Sequence, residues 1–138
     1  MKKAVMAVLS SLFLLSTSAA YCDATVSLKT GTYDLKGNGD GSEQMAYGGK
    51  VYISPMGKNY KVNWAVGQSG NQTHYGIGIL EQNVLSVSFY APRGYFTGTV
   101  AYLVNPDGTL VGKWAPVYSD SQGVEKLTWL TDALPNNK

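Results

Sequence analysis

A single antiparallel up-and-down β-barrel of about eight strands, preceded by a signal peptide, is the fold this sequence predicts. Three observations predict it. Apolar and polar residues alternate at period two in run after run. Turn signals made of Gly, Asn, Asp and Pro fall between those runs at short intervals. After the first two dozen residues, no stretch carries a long helical apolar period.

The alternation is plainest in three places. Tyr60, Val62, Trp64 and Val66 interleave with Lys61, Asn63 and Ala65. Leu85, Val87 and Phe89 interleave with Ser86, Ser88 and Tyr90, and Phe96, Gly98, Val100 and Tyr102 with Thr97, Thr99 and Ala101. In each run one set reads as buried and the other as solvated or cavity-facing, the signature of antiparallel sheet with one covered face. The strands expected are Gly31–Leu35, Ala46–Ser54, Tyr60–Val66, Thr73–Leu80, Val84–Tyr90, Phe96–Val104, Thr109–Ala115 and Val124–Leu130.

The turns lie between them. Asn38-Gly39-Asp40-Gly41, Pro55-Met56-Gly57-Lys58-Asn59, Gly67 to Asn71, Glu81-Gln82-Asn83, Pro92-Arg93-Gly94, Asn105-Pro106-Asp107-Gly108 and Asp120 to Gly123 are all rich in turn formers. Hairpin after hairpin favours a closed barrel, because closure removes exposed sheet edges. There is also an internal echo. Gly49-Lys50-Val51-Tyr52-Ile53 leads through a turn to Trp64, and Gly98-Thr99-Val100-Ala101-Tyr102 leads through a turn to Trp114. Two copies read as a repeated hairpin inside one barrel, short of a solenoid.

The N-terminus reads as a secretory signal. Lys2 and Lys3 precede an apolar stretch from Ala4 to Leu15, and small residues follow from Ser16 to Ala20. The apolar run is shorter than the ~20 residues a spanning helix needs, so no membrane span is expected. Cleavage after Ala24 gives a leader of 1–24 and a secreted or periplasmic domain of 25–138; cleavage after Ala20 is the alternative. Ala19-Ala20-Tyr21-Cys22 resembles a lipoprotein site, with a bulky tyrosine where a small residue is required.

Cys22 is the only cysteine, so the mature domain has no internal disulfide and must be held by its core. About 114 residues after the leader suffice for one core. The chain has eleven basic and nine acidic side chains; Lys2, Lys3 and Asp23 belong to the leader, leaving a net charge near +1. That balance offers no electrostatic case for nucleic acid or an anionic membrane surface. A monomer without cofactor is expected.

Catalytic signals are sparse. His74 is the only histidine, whereas a transition-metal site usually gathers several ligands. No Gly-x-Ser-x-Gly or Ser-x-x-Lys occurs. The mature carboxylates, Asp34, Asp40, Glu43, Glu81, Asp107, Asp120, Glu125 and Asp132, mostly fall in turns. Glu125 reads as a solvated glutamate on a sheet. Asn38-Gly39-Asp40-Gly41-Ser42 lacks the later bidentate Glu of a calcium loop.

Aromatic content is the positive signal: ten Tyr and three Trp. Trp64, Trp114 and Trp129 read first as core or barrel plugs. The alternative is an aromatic-lined cavity or contact face. The candidate ligand-binding residues are Trp64, Tyr75, Arg93, Tyr95 and Trp114. No catalytic or metal residues are assigned.

The ordered set Gly31-Thr32-Tyr33, Asn38-Gly39-Asp40-Gly41-Ser42, Tyr60-Lys61-Val62-Asn63-Trp64, Tyr75-Gly76-Ile77-Gly78-Ile79-Leu80, Leu85-Ser86-Val87-Ser88-Phe89, Asp107 to Trp114 and Glu125-Lys126-Leu127-Thr128 resembles a family. Its members are small secreted or periplasmic bacterial proteins, mostly uncharacterised, some labelled fibronectin-binding. The strand order and Trp placement are also similar to avidin-like and lipocalin-like barrels, a likeness of architecture only. The resemblance implies a secreted non-enzymatic binding protein, its ligand an extracellular-matrix protein such as fibronectin or a small apolar molecule. Two other readings stay open: an inhibitor of a hydrolase presenting Pro92-Arg93-Gly94-Tyr95, and a small hydrolase using His74.

Overall fold

The computed structural model describes residues 26–41, 44–92 and 96–136. The expected leader and its expected cleavage site, and the candidates Arg93 and Tyr95, lie outside the described residues.

Eight strands follow one another: β1 (Gly31–Asn38), β2 (Tyr47–Met56), β3 (Asn59–Val66), β4 (His74–Glu81), β5 (Val84–Tyr90), β6 (Thr97–Val104), β7 (Leu110–Pro116) and β8 (Gly123–Thr131). Each pairs antiparallel with the next, and β8 pairs with β1 to close the barrel. Closure leaves no strand edge to shield, as the hairpin pattern predicts.

The strand bounds differ from the expected ones mainly at two turns. β1 runs on to Asn38, whose side-chain oxygen accepts the Gly41 amide and forms the turn from inside the strand. β2 runs through Pro55 to Met56, and a two-residue loop then returns the chain. Gly57 takes a φ of 61° there, the left-handed conformation that glycine adopts without strain. Pro55 is tolerated because the last β1 partner on its strand is Ile53, so its missing N–H interrupts no ladder bond toward β1.

The two ends of the barrel differ. Connections 57–58, 82–83 and 105–109 are short and share one end; 39–46, 67–73, 91–96 and 117–122 share the other. At the short-loop end the interior is filled by Tyr33, Ile53, Leu85, Val104, Leu110 and Leu127, each at most 1% exposed. The segment before β1 lies across this end. Leu28 is buried in the core, and the Tyr33 hydroxyl donates to the Lys29 carbonyl at 2.5 Å. Burial pushes that phenol up to about 12. Trp129 donates its indole N–H to the Thr30 carbonyl at 3.1 Å, and the Lys29 ammonium sits 4.8 Å from the Trp129 ring centre.

Inward glycines make room for inward rings. Gly112 pairs with Tyr102, Gly37 with Tyr47, Gly123 with Trp114, and both Gly76 and Gly98 with Phe89. A methyl group on Gly37 would stand 2.5 Å from the Tyr47 ring, and one on Gly98 2.6 Å from the Phe89 ring. Each ring therefore lies over the bare backbone of the neighbouring strand, which lets an eight-stranded barrel hold so many aromatics.

Candidate functional site

The long-loop end is hollow. A cavity of about 300 Å³ opens there, within the size range of ligand sites. The barrel is thus filled at one end and open at the other.

Strand parity builds the lining. On β3, Val62, Trp64 and Val66 face inward, and Trp64 and Val66 reach the cavity. His74, Phe89, Val100 and Trp114 come from β4, β5, β6 and β7, with Phe96 just ahead of β6. Tyr47 opens β2, and Glu125 lies near the start of β8. β3 and β7 are four strands apart around the barrel, so Trp64 and Trp114 approach from opposite walls. The echoed hairpins account for this symmetry: Val51 pairs with Trp64 as Val100 pairs with Trp114.

The rings form a continuous arc. Trp64 to Phe89, Phe89 to Phe96 and Phe96 to Trp114 have centroid separations of 5.9, 5.8 and 5.9 Å. His74 presents its edge to Phe89 and Phe96 at 6.0 and 5.6 Å. These separations are those of favourable tilted and edge-to-face pairs. Hydrogen bonds complete the circuit. Trp114 donates its indole N–H to the Tyr47 hydroxyl at 2.9 Å, and Tyr47 donates onward to Glu125 Oε1 at 2.9 Å. Trp64 donates to Glu125 Oε2 at 3.4 Å, and the Tyr102 hydroxyl donates a short bond to the same oxygen.

Glu125 was missed by the sequence reading, which placed it in solvent; it is 7% exposed. A signal existed. In Glu125-Lys126-Leu127-Thr128-Trp129, parity puts Glu125 on the same face as Leu127 and Trp129. Among the described residues no basic side chain pairs with it. Burial raises its proton affinity, and the bonds from Tyr102, Tyr47 and Trp64 pull it partway back. Its charge in turn helps burial hold the Tyr47 and Tyr102 phenols well above their ordinary value.

Of the candidate binding residues, Trp64 and Trp114 line the cavity. Tyr75 does not: it pairs with Tyr90 and stacks on it at 5.9 Å, on the outer face. Parity decides this, since His74 and Gly76 on either side of it face inward. Tyr47, Phe89, Phe96 and His74 join the site instead.

His74 lines the cavity wall, where burial lowers its proton affinity. Its Nδ1 lies 2.9 Å from Thr73 Oγ1, which also accepts the Val66 amide and faces the Trp64 carbonyl. That hydroxyl ties the 67–73 connection to β3. No group of three or more His, Cys, Asp or Glu able to hold a metal occurs among the described residues. No helix among them is long and apolar enough to cross a membrane.

No protein-family model and no curated protein sequence matches this chain.

Proposed function

We propose that this is an exported, non-enzymatic binding protein that takes one small, largely apolar molecule into the open end of its barrel. The observation that carries the reading is the aromatic-walled cavity with a buried carboxylate at its floor. A half-empty barrel interior forgoes packing contacts that the other half makes. Burying Glu125 with no cationic partner among the described residues costs further stability. Features that weaken a fold while shaping a concave apolar space with a few polar groups are those of a ligand site. The leader-like first 24 residues support export.

The test is intrinsic Trp fluorescence of the mature domain against small aromatic compounds, lipids, glycans and fibronectin. The expected result is a saturable change with a small molecule that Val66→Trp, by filling the cavity, abolishes. Saturation by fibronectin, undisturbed by Val66→Trp, would contradict the cavity reading and favour a protein partner on the outer surface.

A further inference from the structure

The cavity says something about the charge of its occupant. Among the described residues, Glu125 is met only by donors. Oε1 accepts Tyr47, and Oε2 accepts Tyr102 and Trp64. Tyr47 already accepts from Trp114, so its own proton points at Glu125. This arrangement suits the ionised carboxylate, an acceptor with about four lone-pair positions, of which three are engaged. Oε1, with one donor, keeps capacity for another. The cavity around this carboxylate is walled by Trp64, Phe89, Phe96 and Trp114, and an aromatic face, where a ligand cation meets one, attracts positive charge.

We propose that the ligand is an organic ammonium ion, an amine protonated at neutral pH on an apolar body, with its N–H at Glu125 Oε1 and its body among the four rings. This rests on the cavity reading and deepens it. A neutral apolar ligand would leave the carboxylate's charge without a counter-ion among the described residues, whereas an ammonium neutralises it and adds a charge-assisted hydrogen bond. An anionic ligand would meet repulsion at the floor. Burial disfavours the charged form of His74, which limits opposing charge in the cavity wall.

The experiment is calorimetric titration of the mature domain, near neutral pH, with three compounds of similar shape: phenethylamine, phenethyl alcohol and hydrocinnamate. The amine is expected to bind ~10-fold or more tightly than the alcohol, and the carboxylate most weakly. In Glu125→Gln, which keeps the side-chain shape, the preference for amine over alcohol should vanish. The ranking in the unmodified protein tests the charge inference even if that variant folds poorly. Equal saturable binding of amine and alcohol would overturn the ammonium inference and leave the cavity reading standing. Absence of binding by all three would overturn both.

Discussion

Tyr102 and Glu125 meet across a strand that contributes only a glycine between them. Tyr102 pairs with Gly112 on β7, and Gly112 pairs with Glu125 on β8. The row continues symmetrically: Glu125 pairs with Gly37 on β1, and Gly37 with Tyr47 on β2. Two tyrosines therefore reach over two glycines to donate to one buried carboxylate. A Cβ at either glycine would collide with the ring above it.

The row predicts its own fragility. Gly112→Ala is expected to destabilise the domain by about 1–3 kcal/mol through overpacking against Tyr102. Gly39→Ala, whose new methyl would come no closer than 3.7 Å to Trp114, should stay within about 0.5 kcal/mol of the parent. Urea unfolding of the two variants checks the contrast.

Tyr102→Phe removes a donor to a buried carboxylate and creates little void. The expected loss is about 1.5–3 kcal/mol, the range for hydrogen bonds to charged groups. Chemical denaturation of this variant against Glu125→Gln, and of the double variant, would measure their coupling, which should be clearly non-additive.

Two groups give stability opposite pH slopes. The folded Glu125 binds its proton more tightly than the unfolded chain, so its ionisation penalty is absent below the unfolded pKa of about 4.5. Stability from this group falls as pH rises from there through the folded value, and Glu125→Gln should flatten that fall. Amine binding should strengthen over the same rise, as the carboxylate ionises among Tyr47, Tyr102 and Trp64. His74 works the other way. Its folded proton affinity is lowered, so stability falls as pH drops below about 6.5 toward the folded value. His74→Ala should remove that acid loss, as followed by thermal unfolding across pH.

The filled end should be separable from the open one. Leu28→Ala is expected to cost about 2–5 kcal/mol, the range for a buried leucine. It lies across the opposite end from the cavity, so ligand affinity, measured where both proteins are folded, should be unchanged.

Much of the fold was legible because a one-sided strand writes its parity into sequence. The alternation in Leu85 to Tyr90 and Phe96 to Tyr102 locates two strands to within a residue and tells in from out. Boundaries failed where a turn former worked from inside a strand, as Asn38 and Pro55 do. The site was half legible. Trp64 and Trp114 stood out as echoed aromatics, but large side chains at strand ends can equally be core, as Trp129 partly is. Tyr75 was named as an aromatic without regard to parity, which sets it on the outer face between the inward His74 and Gly76. Glu125 was missed because a carboxylate's burial depends on which rings arrive from β2, β3 and β6. Those partners lie at least 23 positions away in sequence and are brought close only by closure.

The most direct measurement is a nitrogen–proton NMR titration of the labelled 25–138 domain with phenethylamine, read at the three indole N–H resonances. Trp64 and Trp114 stand on opposite walls of the cavity, and Trp129 lies at the filled end. The expected result is that the Trp64 and Trp114 indole signals move together along one saturating curve while Trp129 stays fixed. Movement of Trp129 alone, or no saturating movement of Trp64 and Trp114, would contradict a ligand site in the open end of the barrel.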